Sequence, residues 1–430
     1  MHFDPQRSLA ACRSLAACCL LSLLAFPKAG FYLGDTPVTL GYLILAIVAA
    51  AQVAYLATQS NMRVPAMFAL IGIGLTGLAV VEAAAFKVYG FQSIGSLVSI
   101  LVSTLVMPIL GLLAGFAVLR WLTLEGFAKW CGVCLAIVFG FGMVSFFVYN
   151  IFGVVWGIPF LTTTGNDIHL VADRHNLRGS VIKMFSTYNN GNILGVNLLL
   201  WGPLAIAAAN HTRTSRWATP GRLNWMFRIT CLLTLSRTAW IGLAVLEMTT
   251  SILRRDMARI SRSLIFIGLL TCGALAAIVW MGRDPLQFIL DASLGGRVAS
   301  LEDTMQGFSN RKIGWCNESL YASSFLAFGG IGTLMIAAIW AVPVAAGRPD
   351  SMAVTARIAL GTYLLIASVE AAFNLVPTQA IYWFVAGIAL GAASPQANLA
   401  CRPIPHCDHL VPHRGRLGST GQSMFGTAAT

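Results

Sequence analysis

Long apolar runs alternate with short polar segments along most of the chain. Most runs have about twenty residues, the length at which a helix crosses a hydrocarbon core of about 30 Å. They are Leu9–Phe26, Val38–Thr58, Val64–Phe86, Ile94–Leu119, Cys131–Trp156, Gly191–Ala209, Ser263–Met281, Leu320–Ala346, Met352–Val369 and Leu375–Ala392. The pattern predicts an all-α fold, a polytopic bundle of transmembrane helices.

The run Leu223–Leu253 needs a separate interpretation, because basic residues flank it on both sides. Basic clusters prefer the cytoplasmic side, so a single crossing would place either Arg222 or Arg254 outside. We therefore favour a re-entrant hairpin, or two short crossings, with the segment Ser236–Thr238 at the outer tip. Counted with this hairpin, the chain has about twelve membrane segments.

The same rule places both termini in the cytoplasm and two long polar loops outside. These loops are residues 157–187 and 282–319, and we expect the outer loop to be partly helical. Residues 1–396 then form a single transmembrane domain. Residues 397–430, with several prolines and glycines, are expected to form a disordered cytoplasmic tail.

The composition agrees with a membrane protein, since 57% of the residues are hydrophobic and only 10% are charged. The formal net charge of +12 could indicate nucleic acid. However, the basic residues lie in short clusters between apolar runs, so we attribute the excess to membrane topology and expect no nucleic-acid partner.

The sequence gives little support for a metal site. Cys131 and Cys134 lie in an apolar run without a second pair of ligands, and His169 and His175 are isolated. A group of histidines and cysteines between Cys401 and His413 leaves only a weak alternative in the tail. We expect no metal and no cofactor.

Two arginines of the second outer loop, Arg297 and Arg311, are candidates for binding phosphate. A guanidinium group forms bidentate, charge-assisted hydrogen bonds to phosphate oxygens and stays charged when it is partly desolvated. The loop also carries Glu302 and Asp303, so either arginine taken alone is better explained as a solvated loop residue paired with one of these carboxylates.

Arg237 lies between two long apolar arms, and an ionisable residue in such a position is by default a functional candidate. The alternative is an arginine that extends to the lipid headgroups. Glu318 is the carboxylate directly before a predicted span, next to the aromatic Trp315. It could act as a general base at the membrane surface, or Asn317 could cap the helix with Glu318 in its first turn.

The first outer loop ends in a polar segment with Arg178 and the asparagines Asn189, Asn190 and Asn192. Amide side chains at the start of a helix can bind sugar hydroxyls, and they are also ordinary helix caps. Composition does not decide between these two roles.

Three of these segments, in their order along the chain, resemble the bacterial O-antigen polymerase and O-antigen ligase family. They are the signature Leu235–Trp240, the outer-loop pair Gly296 and Arg297, and Glu318-Ser319 followed after nine residues by Gly329-Gly-Ile-Gly332. The polar segment up to Asn192 is similar as well. In the ligase pattern a histidine occupies the position of Glu318, so the resemblance favours a polymerase over a ligase.

The resemblance implies an inverting, metal-independent glycosyltransferase in the bacterial inner membrane, with its active site facing the periplasm. It would transfer or polymerise oligosaccharides from undecaprenyl pyrophosphate to a glycan, or to lipid A core in a ligase. Other polysaccharide-assembly proteins and membrane lipids would be its partners. The catalytic residues implied are Glu318, Arg237 and Arg297, and the substrate-binding residues are Arg311, Arg178, Asn189, Asn190, Asn192 and Trp315.

A transporter or flippase of lipid-linked sugars is the alternative from another class. Such a protein would carry polar residues through the centres of its spans and a repeat between its halves. Glu82, Glu247 and Glu370 lie within or beside apolar runs without an obvious basic partner, which keeps this alternative open.

Overall fold

The structure is a computed structural model, and it describes residues 5–33, 36–58, 66–89, 101–166, 168, 171, 176–178, 181–212, 218–253, 255, 257–280, 319–346, 350–370 and 376–392. Helices make up nearly all of the regular structure in these ranges. They are α1 (Pro5–Leu20), α2 (Leu40–Thr58), α3 (Ala66–Tyr89), α4 (Met107–Trp121), α5 (Leu124–Phe152), α6 (Gly191–Asn210), α7 (Pro220–Leu233), α8 (Arg237–Leu253), α9 (Met257–Trp280), α10 (Leu320–Ala345), α11 (Ser351–Ile366) and α12 (Val376–Ala392).

Short segments of other structure extend or connect these helices. A π-helical turn, Leu21–Ala25, follows α1, another, Val102–Val106, precedes α4, and the 3-10 turn Ser186–Tyr188 precedes α6. The strands β1 (Gly30–Leu33) and β2 (Thr36–Thr39) form one antiparallel pair, and β3 (Leu177–Arg178) and β4 (Val181–Ile182) form another. The prediction of an all-α fold is therefore confirmed.

Among the described residues, four helices are long and apolar enough to cross a membrane. They are Leu40–Ala57, Val102–Trp121, Leu124–Phe152 and Gly191–Asn210. The helices of the described residues follow the predicted apolar runs closely, because a helix in lipid satisfies all its backbone groups internally. The total of about twelve membrane segments remains a prediction.

The helix α6 lies at the centre of the bundle and contacts α5, α7, α8, α11 and α12. The backbones of α4 and α12 pack very closely, because glycines at their interface leave no side chain between them. A Cβ atom on Gly115 would lie 1.9 Å from the carbonyl oxygen of Phe384, and one on Gly387 would lie 2.2 Å from that of Leu112. Small residues at such contacts let helix backbones approach, as is usual in membrane bundles.

Contacts between helix termini show which termini lie together at each end of the bundle. At one end, Nε2 of His211, after α6, lies 2.6 Å from the hydroxyl oxygen of Ser351 at the start of α11. At the other end, the amide of Leu320 in α10 donates to Ala367 after α11. Asn197, near the start of α6, donates to Thr378 near the start of α12. We call this second end, with the starts of α6, α8, α10 and α12, the polar end.

The loop before α2 and the loop after α5 are joined by backbone hydrogen bonds. Gly30 donates to Phe160 over 2.9 Å and accepts from Gly165 over 3.0 Å, and Thr164 donates to the carbonyl of Lys28. The structure therefore brings these two loops to the same end of the bundle.

Gly329 interrupts α10 with a φ of 68° and a ψ of −173°. Leu320 and Trp340, on either side of this break, line the same small cavity. In a straight helix these two residues would be about 30 Å apart, at about 1.5 Å per residue. The chain therefore folds back at Gly329, and the predicted span Leu320–Ala346 is two helical arms, of which the second, Gly329–Ala345, is a shorter apolar helix.

Candidate functional site

The predicted hairpin in Leu223–Leu253 is present, as α7 and α8 joined by a three-residue turn. The turn is tight because Leu235 adopts a left-handed conformation, with a φ of 47°. Ser236 then caps α8, its hydroxyl accepting from the amide of Ala239. Arg237 is the first residue of α8 and is half-buried.

The tip of this hairpin packs against the start of α6. The amide of Met184 donates to Leu233 over 2.9 Å. A Cβ atom on Gly191 would lie 3.0 Å from the carbonyl oxygen of Thr234, and one on Gly195 would lie 2.5 Å from the Cβ of Ala239. The structure thus places the neighbourhood of Arg237 beside the asparagine-rich start of α6, two segments that are far apart in sequence.

Asparagine side chains satisfy the first amides of α6. Asn190 is the N-cap, and its Oδ1 accepts from the amides of Asn192 and Ile193 at 2.8 and 3.3 Å. Asn176 accepts from the amide of Gly191 at 3.0 Å and donates to the carbonyl of Asn189 at 2.9 Å. Asn190 therefore has the capping role that the sequence left open.

Lys183 was missed by the sequence interpretation. Its side chain is completely buried, and its Nζ donates to Oδ1 of Asn192 over 3.1 Å. The signal in the sequence is a single lysine within the apolar segment Val181–Phe185. A buried ammonium group needs polar partners, so its presence beside the start of α6 marks a polar site.

The loop that carries these residues passes between helices rather than over them. Asn150, near the end of α5, bonds to the amide of Ile182, whereas Ser186 donates to the carbonyl of Val138 over 2.7 Å. Asn150 and Val138 are twelve residues apart on α5, about 18 Å along its axis. The polar site is therefore set into the bundle, below the end of α5.

Tyr188 anchors this loop. Its hydroxyl donates to the carbonyl of Leu24 over 2.8 Å and accepts from Nε1 of Trp201 over 3.3 Å. Burial raises the pKa of the Tyr188 phenol above its ordinary value, and the hydrogen bond from Trp201 offsets only part of this effect. The phenol stays protonated and supports the loop from within.

Further polar atoms at this end have no partner within the described part of the chain. They include Nδ2 of Asn189, Oδ1 of Asn197 and Oε1 of Gln379, all in buried side chains. Gln379 lines the cavity between the two arms of α10, together with Leu78, Thr104, Leu320, Ser324, Ile336 and Trp340. These atoms give the interior of the polar end hydrogen-bonding capacity that the described residues do not use.

Glu247 does have a basic partner, contrary to the expectation from sequence. Both Nε and Nη2 of Arg228 donate to its Oε1, at 3.1 and 2.6 Å, and the guanidinium lies 4.5 Å from the ring centroid of Phe266. The ion pair connects the two arms of the hairpin and reaches α9. An ion pair within the hairpin therefore accounts for the carboxylate of Glu247, and no transport function is needed to explain it.

Four of the nine predicted site residues, Glu318, Arg297, Arg311 and Trp315, lie outside the described residues. Arg178 lies in β3, paired with Val181. Ser319 is the N-cap of α10, its hydroxyl accepting from the amide of Ala322, and Asn317, the alternative cap considered from the sequence, lies outside the described residues. Within the ranges that the structure covers, histidine, cysteine, aspartate and glutamate form no group of three that could hold a metal ion.

We compared the chain with known protein families, curated proteins and solved structures, and found no match in any of the three.

Proposed function

We propose that this protein is a membrane glycosyltransferase of surface-polysaccharide assembly. It transfers or polymerises oligosaccharide units from an undecaprenyl-pyrophosphate carrier at the outer face of the bacterial inner membrane. The proposal starts from the family resemblance of the segments around Arg237, Arg297 and Glu318.

One observation supports the proposal best: the arginine signature and the asparagine-rich segment come together at the polar end of the bundle. Arg237 begins α8 beside Gly191 and Gly195 of α6, where Lys183 and Asn192 are also found. The surrounding helices are apolar, as a site for a lipid-linked substrate requires. A transporter would instead distribute such groups through the centres of its spans.

The chemistry requires a positive group at the leaving pyrophosphate and a base at the acceptor hydroxyl. Arg237 supplies a guanidinium at the positive end of the α8 dipole, and both favour an anion there. Arg297 and Arg311 add further positive charge in this proposal. Glu318, directly before the N-cap Ser319 of α10, removes the proton from the acceptor hydroxyl.

Complementation of a deletion mutant tests the proposal, with the length of surface polysaccharide as the readout. We expect Arg237→Ala, Arg297→Ala and Glu318→Gln each to abolish long chains. Arg222→Ala is the matched control, because Arg222 lies on the same hairpin in the first turn of α7 and should leave chain length unchanged. Wild-type chains in all three site variants would refute the catalytic assignment.

The same strain distinguishes a polymerase from a ligase. Loss of a polymerase leaves only single repeat units, whereas loss of a ligase leaves long polymer on the lipid carrier and none on lipid A core. We favour the polymerase, because Glu318 occupies the position of the ligase histidine.

A further inference from the structure

The contact between Lys183 and Asn192 determines which way the amide of Asn192 faces. An ammonium group has only donor hydrogens, so the atom 3.1 Å from Nζ must be the amide oxygen. The amide nitrogen Nδ2 then points away from Lys183. It makes no hydrogen bond among the described residues, and the side chain of Asn192 is half-exposed.

A ligand at this position meets a donor, Nδ2 of Asn192, that has no partner among the described residues. The Oδ1 of Asn192 is occupied by Lys183, and the first amides of α6 are occupied by Asn190 and Asn176. Nδ2 of Asn192 is left to bind, and a ligand that bonds to it offers an acceptor oxygen. A phosphate oxygen is the strongest such acceptor, since hydrogen bonds to a charged partner are roughly twice as strong as neutral ones.

The surrounding charges favour an anion as well. Lys183 is a buried cation next to Asn192, Arg237 begins the adjacent helix, and the starts of α6 and α8 carry partial positive charge. Gly191 lets Lys183 lie close to the start of α6, because a Cβ atom on Gly191 would lie only 2.9 Å from the Cβ of Lys183.

We propose that Lys183 is a positioning residue that holds Asn192 as a donor for a pyrophosphate oxygen of the substrate. The identity of the substrate rests on the proposed function, whereas the preference for an anionic acceptor oxygen rests on the orientation of the Asn192 amide and on the positive charges around it. Lys183 acts through Asn192 in this proposal.

Asn192→Asp separates this role from a purely structural one. The aspartate keeps the contact with Lys183, as an ion pair, but replaces the donor Nδ2 with an anionic oxygen that repels phosphate. We expect the full chain, purified in detergent, to be stabilised against heat by inorganic pyrophosphate. The variant should stay folded and bind pyrophosphate at least about tenfold more weakly.

Asn210→Asp is the matched control, because it makes the same charge change at the last residue of α6 and should bind as the wild type does. Lys183→Met should also weaken binding, and Lys183→Arg should restore part of it. Should Asn192→Asp fail to fold, Asn192→Ala removes the same donor without adding charge.

The proposal is overturned if the wild type gains no stability from pyrophosphate, or if Asn192→Asp retains the full effect. It is also overturned if micelles doped with phosphatidylglycerol stabilise the protein through Asn192 and pyrophosphate does not, since the acceptor would then be a lipid headgroup. Because binding is measured without transfer, loss of the pyrophosphate effect in Asn192→Asp would support the site even if complementation disproved the glycosyltransferase.

Discussion

Two helical hairpins meet the polar end of the bundle, and they are built on different principles. The α7–α8 hairpin has a polar tip that is packed against α6, and the ion pair of Arg228 with Glu247 joins its arms. The α10 hairpin turns at Gly329, exposes apolar side chains such as Ile331, which is 80% exposed, and has no ion pair among its described residues.

This difference between the two hairpins indicates that the α7–α8 hairpin is the one that holds functional side chains in a defined position. Polar contacts are directional, so the α7–α8 tip has one defined position against α6. Apolar contacts are not directional, and the α10 turn depends on the conformational freedom of one glycine. We expect Arg237 to be held rigidly, whereas the two arms of α10 present apolar side chains and line a small cavity between them.

The largest expected effect is the loss of the ion pair. Glu247→Ala leaves the guanidinium of Arg228 in a largely buried position, where its side chain is 30% exposed, and should cost about 3 kcal/mol. Unfolding by SDS in mixed micelles measures this cost. Glu125→Ala, at an exposed first-turn position of α5, should cost no more than about 0.5 kcal/mol. The double exchange Arg228→Glu with Glu247→Arg should recover part of the lost stability. An equal loss of stability in Glu247→Ala, Glu125→Ala and the double exchange would show that the ion pair does not stabilise the hairpin.

A smaller effect is expected where the tip meets α6. Gly195→Ala introduces a Cβ only 2.5 Å from that of Ala239, and overpacking of this kind costs about 2 kcal/mol. It should also reduce pyrophosphate binding, because α8 must move away from α6. Gly221→Ala, with nothing within 4 Å of the added atom, is the control in the same unfolding assay. If both variants behaved alike, tight packing at the tip would be disproved.

At the other hairpin, Gly329→Ala should cost about 1 to 2 kcal/mol for a different reason. Its added atom meets nothing within 4 Å, but its φ of 68° with a ψ of −173° belongs to a region that is almost restricted to glycine. Gly330→Ala should be neutral or slightly stabilising, because its nearest neighbour is 3.8 Å away. The difference between the unfolding free energies of the two alanine variants, measured by SDS unfolding, reports the backbone strain at Gly329. Equal stability of the two variants would exclude a fixed turn at Gly329.

The smallest effect is predicted for Gln379→Leu. Oε1 of Gln379 has no hydrogen-bond partner within the described ranges, so replacing the amide with an apolar group should change the stability by less than about 1 kcal/mol. Thr378→Val, the neighbouring change, removes the hydrogen bond from Asn197 and should cost about 1 kcal/mol. A large loss in Gln379→Leu would show that its amide is bonded, for instance to buried water, and that the α10 cavity is polar in function.

The sequence alone determined the helical class, the approximate helix limits and the hairpin at Arg237. Apolar runs of membrane length have few alternatives in lipid, because each backbone group must be satisfied within its own helix. The residue types in the runs also predicted that Asn190 could cap α6. These results depend on local pattern, which a sequence carries directly.

Only the tertiary structure decided which side chains of these helices and loops contact one another. The partners Arg228 and Glu247, Lys183 and Asn192, and Asn197 and Thr378 are contacts between different segments, and side-chain identity does not specify them in advance. The fold at Gly329 was also hidden, because Gly-Gly within an apolar run reads equally as close helix packing or as a break. Local sequence determines which helices form, whereas packing determines which polar groups share a site.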